Sequence, residues 1–342
     1  MHRSLAGLFA VAVAVTAAEA AAQDTPLRVG SLDGPNETVF GLIADADVDP
    51  TGDVLVLDMR MLELRRFDRN GSYIGKVGSP GRGPGEFRYP EALAVDNKGR
   101  AWVLDSGNLR ISIYDWRAEG EPMRTIPLPF PAFDLCVMGE HAWIAGYSPS
   151  GVVHSLDTSG VIERSFGAAV LPAPVEGRRA EILKASLSDG SLACDQESGT
   201  LVYARRDIGS IEAFSTEGRR LWSTTVPDFA AMEVVVTEAG RISYRPPDGL
   251  SYQNRVAGLV VPPKATTVLV QIETVSLGRL EPDAADLVET RWLDIDTGQW
   301  RGQGGLGGRV AHAGAETCLL FENLPYPRVW SDMCPSPAGR PK

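Results

Sequence analysis

Positive charge and histidine are scarce in this sequence. Its 342 residues include 33 Lys and Arg against 44 Asp and Glu, for a formal net charge of −11, and only 4 His. Nucleic acid is a polyanion, and binding it requires a concentrated basic patch on the protein. We therefore expect no nucleic-acid partner, and we attribute the acidic balance to solubility.

Long apolar segments are also missing. The one conspicuous run, residues 5–18, follows a basic start and precedes the small-residue sequence AEAAA at 18–22. A membrane span needs roughly 20 apolar residues, whereas a short apolar run before a small-residue cleavage site is typical of a signal peptide. We predict a signal peptide over residues 1–22, no membrane span, and a protein that is exported to the periplasm or secreted.

Motifs of common catalytic sites are absent. The sequence contains no nucleophile elbow, phosphate loop, dinucleotide fingerprint or zinc-protease helix. We expect the three histidines beyond residue 22 to point to different regions, which disfavours a three-histidine zinc site. The sequence therefore favours a protein that is not an enzyme.

Glycine and proline, by contrast, are plentiful and evenly spread, with 36 and 24 residues, as an all-β fold with many tight turns requires. The segment VDPTGDVLVLD at 48–58 is repeated as VDNKGRAWVLD at 95–105. The pattern that ends each third strand recurs at 64–68, 111–115, 153–157, 211–215, 292–296 and 329–332. Six copies predict six four-stranded blades, and hence an all-β, six-bladed β-propeller.

The N-terminal segment indicates how this ring closes. Val29-Gly30-Ser31 matches Val77-Gly78-Ser79 on an outer strand, and the last blade, ending near Cys334, lacks its own outer strand. Pairing the two would cover two exposed sheet edges. We predict a propeller over residues 23–335, with an inserted hairpin at 234–237 and 241–244, a short helix candidate at 178–185, and a disordered tail at 336–342.

The second copy resembles one complete NHL repeat. The matching residues are GRGPGEF at 81–87, AVD at 94–96, WV at 102–103, and Asp105, Asn108, Arg110, Ile111 and Tyr114. The resemblance implies a propeller of short repeats, a fold that hosts many functions.

Two functions remain open. The favoured one is a monomeric, non-catalytic module, needing no cofactor, that binds an unknown small molecule or an extracytoplasmic protein. The alternative is a metal-dependent hydrolase or lyase of the calcium type, with its site at the central tunnel, similar to gluconolactonase-like or streptogramin-lyase-like propellers.

Residues that break the repeat after second strands are the candidate ligand contacts, because the loops there can rim one mouth of the tunnel. Arginine beside aromatic residues would suit a carboxylate or sugar-acid ligand through forked hydrogen bonds. The alternative is ordinary solvated loop charge. The candidates are Arg60, Tyr147, Arg205, Arg206, Asp207 and Asn323.

Oxygen-bearing side chains near the connecting loops are candidate calcium ligands, since calcium prefers oxygen. They are Glu37, Asp105, Asn108 and Glu273. Asp105 and Asn108 also have a structural alternative, because they follow the repeat and Asp commonly caps a turn through backbone N–H groups.

Four cysteines complete the set of candidates. Cys318 and Cys334 flank a turn-rich stretch, and Cys136 and Cys194 occupy similar points on the first strands of blades three and four. In an oxidising compartment we predict the disulfides Cys318–Cys334 and Cys136–Cys194. The alternatives are four free thiols or a metal site, and the second is disfavoured because no CxxC pair exists.

Overall fold

Short strands joined by tight turns account for most of the structure. The computed structural model describes residues 26–116, 121–139, 141–157, 159–171, 175–237, 241–276, 287–305 and 307–334. The predicted signal peptide (1–22) and tail (336–342) lie outside these residues. Among the described residues, no helix is both long and apolar enough to cross a bilayer.

The strands form six antiparallel four-stranded sheets, or blades, and strand order follows the chain in the first five. Blade 1 contains β2 (Ile43–Val48), β3 (Val54–Asp58), β4 (Glu63–Phe67) and β5 (Tyr73–Val77). Blade 2 contains β6 (Pro90–Val95), β7 (Ala101–Asp105), β8 (Arg110–Tyr114) and β9 (Arg124–Pro127). Blade 3 contains β10 (Ala132–Met138), β11 (His141–Ser148), β12 (Gly151–Leu156) and β13 (Ile162–Phe166).

The second half of the ring has the same plan with two insertions. Blade 4 contains β14 (Gly190–Cys194), β15 (Thr200–Arg205), β16 (Ser210–Ser215) and β17 (Arg220–Thr225). Blade 5 contains β20 (Tyr252–Val260), β21 (Thr267–Ser276), β22 (Leu287–Asp294) and β23 (Trp300–Gly305). Helix α1 (Gly177–Leu187) precedes blade 4, and the predicted hairpin, β18 (Glu233–Val236) with β19 (Ile242–Arg245), precedes blade 5.

Blade 6 is completed from the other end of the chain. It contains β24 (Arg309–Ala313), β25 (Thr317–Glu322), β26 (Arg328–Met333) and, as its outer strand, β1 (Arg28–Val29). Leu27 and Val29 are 6% and 4% exposed and pack among residues of blades 1 and 6. The predicted closure of the ring by the N-terminal strand is confirmed.

Apolar packing between blades holds the ring together. The buried residues form six clusters, and each cluster joins two neighbouring blades, including blade 6 with blade 1. The second strands β3 and β7 are buried at every position because blades cover both of their faces. The six sheets thus form one closed fold rather than an open stack.

Aspartate and glycine build the turn between the first and second strands. Asp49 Oδ1 accepts hydrogen bonds from the backbone N of Thr51 (2.8 Å) and of Asp53 (3.0 Å). Gly52 supplies the positive φ of 90° that the turn needs. Asp96 makes the same contacts in blade 2. The repeated Asp and Gly are therefore structural.

Both predicted disulfides are present. Cys136 on β10 bonds Cys194 on β14, with Cα atoms 5.9 Å apart, and so joins the innermost strands of blades 3 and 4. Cys318 on β25 bonds Cys334, which directly follows β26, with Cα atoms 4.8 Å apart.

Candidate functional site

Two connected cavities lie along the axis of the ring. The mouth cavity, of about 980 Å³, is lined by segments that precede first strands and by turns that follow second strands. The tunnel cavity, of about 740 Å³, is lined mainly by the six innermost strands. The residues that line both define a neck between them. They are Ala44, Glu91, Phe133, Arg206, Arg309 and Phe321.

Irregular pairing of the innermost strands produces this neck. In blades 1, 2 and 3 the register between the first and second strands shifts by one residue near the start of the first strand. The residue skipped by each shift is Ala44, Glu91 or Phe133, and all three belong to the neck. A bulge leaves one residue unpaired and redirects its side chain, which explains how a charged and an aromatic side chain come to face the axis.

Paired charges surround the mouth cavity. Arg206 contacts Asp189 at 3.1 Å (Nε to Oδ2), and Arg255 contacts Asp207 at 3.0 Å (Nε to Oδ1). Arg309 contacts Glu273 at 2.7 Å (Nη2 to Oε2). Each arginine is thereby held in place before any ligand arrives.

Carboxyl groups from blades 1 and 3 connect adjacent innermost strands. Asp45 Oδ2 accepts a hydrogen bond from Leu93 N of blade 2 at 2.9 Å, and Asp134 Oδ2 accepts one from Leu192 N of blade 4 at 2.8 Å. Burial raises the pKa of Asp134 to about 7. Burial, reinforced by the nearby charge of Asp134, raises the pKa of Asp45 well above its ordinary value. These carboxyls are part of the framework of the tunnel.

Glu91 differs from Asp45 and Asp134 in its hydrogen bonding. It lies on β6 between the strands that carry Asp45 and Asp134, and its Oε2 atom is buried without a hydrogen-bond partner. Burial raises the pKa of Glu91 to about 7, although a hydrogen bond with Ser106 opposes the shift. Glu91 is therefore the neck carboxyl with hydrogen-bonding capacity left for a ligand.

Four of the six predicted ligand residues line the mouth cavity, namely Arg60, Arg206, Asp207 and Asn323. Arg60 is exposed, and its guanidinium makes no hydrogen bond or ion pair with the described residues. Asn323 is engaged with the backbone of Ile43, accepting from its N at 2.8 Å and donating to its O at 2.9 Å. It thus helps to join blade 6 to blade 1.

The other two predicted ligand residues lie elsewhere. Arg205 is 2% exposed, pairs with Glu212 at 2.9 Å and donates to Ala168 O at 2.6 Å, so its side chain is engaged within the fold and lines neither cavity. Tyr147 donates its hydroxyl to Glu181 on α1 and lines neither cavity. Arg206 is paired and Arg205 is buried, so these two arginines do not lie together at the mouth.

The four predicted calcium ligands are not brought together. Glu273 lines the mouth and pairs with Arg309. Asp105 accepts from Tyr89 N at 2.8 Å and from Asn108 Nδ2 at 2.7 Å, so these two perform the structural role that the repeat predicts. Glu37 lies in a short 3₁₀ helix before blade 1 and lines neither cavity. Among the described residues, no three His, Cys, Asp or Glu side chains could hold a metal ion together.

Sequence reasoning missed Glu91, Phe133, Arg255 and Arg309. The sequence does carry a signal for the first two. Glu91 and Phe133 are a charged and a large aromatic residue in innermost strands whose other residues are mostly small and apolar, or Asp. Arg255 and Arg309 lie in the first strands of blades 5 and 6. The repeat is imperfect in these later blades, so the sequence did not predict where those strands begin.

Comparison with known proteins agrees with this architecture. Residues 42–163 match the model of a family, DUF5128, described as a 6-bladed beta-propeller. The mouse (Mus musculus) protein named NHL repeat-containing protein 3 is 26% identical over 221 residues, which are 60% of this chain and 57% of the mouse protein. Its human (Homo sapiens) namesake is 31% identical over 97 residues, or 27% of this chain and 26% of the human protein. The chain thus spans about half the length of the mouse relative, and less of the human one.

Solved structures share the fold at low identity. A member of the DUF4221 family from Bacteroides vulgatus superposes with a TM-score of 0.58 at 9% identity, covering 91% of this chain and 97% of that one. Virginiamycin B lyase from Staphylococcus aureus gives 0.50 at 10% identity, covering 90% and 98%. The repeats and the closed ring identify the chain as a six-bladed β-propeller, and part of its sequence is similar to NHL repeat-containing proteins.

Proposed function

We propose that this chain is an exported, non-catalytic binding propeller whose ligand enters the mouth cavity. The observation that carries the proposal is the pairing of Arg206, Arg255 and Arg309 with carboxylates around a cavity of about 980 Å³. Polar groups that are already fixed lose little conformational entropy when a ligand binds. A concave site with a few convergent polar groups is typical of small-molecule binding.

The engagement of the tunnel carboxyls supports a non-catalytic role. Asp45 and Asp134 each accept two backbone N–H groups, and an acceptor committed in this way is poorly placed to abstract a proton from a ligand. The candidate ligands of the alternative calcium-type hydrolase or lyase lie in separate places, as described above. The binding role therefore fits the arrangement of side chains better.

Export is supported by the cysteines. Both pairs are joined, and no free cysteine is found among the described residues. Disulfides persist in oxidising compartments and are rare in the cytosol. The two bonds agree with the signal peptide that the sequence predicts, and together they support the proposal of a periplasmic or secreted location.

The proposal is tested by blocking the mouth. Met59 lines the mouth cavity, whereas Met61, two residues further on, is 45% exposed and lines neither cavity. A panel of sugars, amino acids, organic acids and short peptides is screened by thermal unfolding, since a ligand of the folded state raises stability by mass action. We expect stabilising ligands to lose their effect in Met59→Trp and to keep it in Met61→Trp.

The chemical fate of each ligand completes the test. Nuclear magnetic resonance spectra of each stabilising ligand, recorded before and after prolonged incubation with the protein, are expected to be identical. Conversion of the ligand would contradict a non-catalytic role. Equal stabilisation of wild type and Met59→Trp would contradict binding at the mouth.

A further inference from the structure

The neck between the two cavities contains a carboxyl group without a full set of partners. Glu91 Oε2 is buried and has no hydrogen-bond partner, whereas Asp45 and Asp134 on the two neighbouring innermost strands each accept two backbone N–H groups. A buried acceptor without a hydrogen bond destabilises the protein relative to one that is satisfied. A donor supplied by a ligand would remove that cost.

The charges around Glu91 favour a cationic donor. Asp45 and Asp134 flank it along the ring, and Asp189 lies close enough to interact with it. Arg206 is a compensating charge that acts on Glu91, and it is already paired with Asp189 at 3.1 Å. Burial, the largest cause, together with the charges of Asp189 and Asp134 raises the pKa of Glu91 to about 7, so a cation bound beside Glu91 would favour its ionised form.

An aromatic ring and a buried amide complete the surroundings. Phe133, the bulged residue of the next blade, also lines the neck, and the face of an aromatic ring attracts ammonium groups. Gln271 lines the tunnel cavity, is only 1% exposed, and has a buried Nε2 atom without a hydrogen-bond partner. A ligand that reaches past the neck would satisfy this donor with a hydroxyl or carbonyl oxygen.

The spacing of the carboxylates favours an organic cation over a metal ion as the ligand of the neck. Calcium takes six to eight oxygen ligands that converge on one point. Within the described part of the chain, no three acidic or metal-binding side chains are close enough to hold one ion. An ammonium group needs only two or three contacts, and these can come from one carboxylate and one ring.

We propose that the neck binds the protonated amino group of a small polar ligand, with Glu91 as its hydrogen-bond acceptor and the ring of Phe133 as its second contact. A hydroxyl or carbonyl group of the same ligand accepts the free hydrogen bond of Gln271. This assignment rests on the proposed function and specifies its ligand class. It also replaces the carboxylate or sugar acid that the sequence suggested.

Three probes of equal length isolate the charge. In 5-amino-1-pentanol, 1,5-pentanediol and 5-hydroxypentanoate, one end is cationic, neutral or anionic, and the other end keeps the same hydroxyl group. Thermal unfolding is followed at constant ionic strength near pH 8, above the pKa of Glu91 of about 7. We expect saturable stabilisation by the amine that exceeds the effect of the other two probes.

Substitutions locate the effect. Glu91→Gln keeps the shape of the side chain and removes its charge, and we expect it to weaken amine binding roughly tenfold or more. Phe133→Leu should weaken it to a smaller extent. Glu163→Gln, on the outer strand β13, is the matched control and should bind the amine as wild type does. Equal responses to all three probes, or unchanged amine binding in Glu91→Gln, would overturn the assignment.

The pH dependence of wild-type protein gives a second measurement if Glu91→Gln does not fold. Asp134, Asp189 and Arg206 lie close enough to interact with Glu91, Asp45 lies on the neighbouring innermost strand, and Arg309 lines the same neck. Asp189 Oδ1 is also buried without a partner, but the other oxygen of Asp189 pairs with Arg206, so Glu91 is the unsatisfied carboxyl that lines the neck itself. Amine binding should strengthen as pH rises through about 7, where Glu91 ionises. A flat profile from pH 6 to 8 would overturn the assignment.

The two proposals fail in different ways. Suppose that the neutral or anionic probe binds as well as the amine, and that Met59→Trp abolishes this binding. The binding function is then supported, and the amine assignment is wrong. If no probe or panel ligand gives stabilisation that Met59→Trp removes, both fall.

Discussion

His312 and Asp47 join the first strand of blade 6 to the first strand of blade 1 through a 2.6 Å contact between Nδ1 and Oδ1. Asp47 also accepts a hydrogen bond from Val95 N of blade 2 at 2.6 Å, so one carboxylate links three consecutive blades. The contact lies on the tunnel wall at the junction where the N-terminal strand closes the ring. The junction of blades 6 and 1 is therefore stabilised both by this charged contact and by the pairing of the N-terminal strand.

This pair makes stability depend on pH. Burial alone would lower the pKa of His312, but the hydrogen bond and the charge of Asp47 outweigh it and raise the pKa above its ordinary value. The stabilisation is complete below about 6.5, the pKa of an unfolded histidine, and is lost as pH rises through the higher folded pKa. We expect the stability difference between wild type and His312→Gln to shrink as pH rises from 5 to 8.

The exposed His141, which pairs with the exposed Glu163, provides the control for that measurement. His141→Gln should change stability little at any pH, because exposed ion pairs contribute weakly. A difference for His312→Gln that stays constant, or grows, with rising pH would show that the pair does not stabilise the ring junction.

Ring closure can be measured with two leucines five positions apart. Leu27 is 6% exposed at the junction of blades 1 and 6, whereas Leu32 is 74% exposed. Leu27→Ala should cost roughly 2–5 kcal/mol of unfolding free energy, as for other buried leucines, and Leu32→Ala should change it by less than about 0.5 kcal/mol. Chemical denaturation gives both values. Similar values for the two variants would refute closure by this segment.

The two disulfides should contribute unequally. Cys136–Cys194 closes a separation of 58 residues and Cys318–Cys334 one of 16, so in the chain-entropy model they contribute about 4 and about 3 kcal/mol. Replacing each pair by alanine and measuring unfolding should reproduce this order. The reverse order would indicate that strain or residual structure dominates over loop length.

Substitution of Arg205 and of Arg60 tests whether the first is buried and the second exposed. Arg205→Ala should destabilise the fold by about 2–4 kcal/mol, because it leaves Glu212 with only the exposed Arg220 as its partner at 3.3 Å and removes the donor to Ala168 O. Arg60 is exposed at the mouth, and Arg60→Ala should change stability by less than about 0.5 kcal/mol. Equal stability of the two variants in thermal unfolding would contradict the buried position of Arg205.

The fold was predictable because the repeat carries its own physical constraints. Each of the six spans predicted to end a third strand overlaps the corresponding strand, namely β4, β8, β12, β16, β22 and β26. The Asp and Gly of the repeated turns in blades 1 and 2 are required by local hydrogen bonding and positive φ, which makes these turns recognisable in the sequence. Cys136–Cys194 followed from the neighbouring first strands of blades 3 and 4, and Cys318–Cys334 from the turn-rich stretch between the two cysteines.

The site was less predictable, because it depends on where side chains point within strands. Arg205 is the last residue of β15, paired with Gly190, and only the three-dimensional structure shows that it points between blades. Glu91 and Phe133 face the axis because bulges interrupt the regular alternation of β6 and β10. A pattern with a period of two residues cannot anticipate a bulge whose position is not marked by glycine.

Crystals of the protein soaked with a panel of small polar molecules, with the three five-carbon probes included, test the central claim most directly. The account predicts electron density for unaltered ligands in the mouth cavity, with amino groups at the neck within hydrogen-bonding distance of Glu91. Ligands bound only on other surfaces, or density for a chemically converted product in the tunnel, would contradict it.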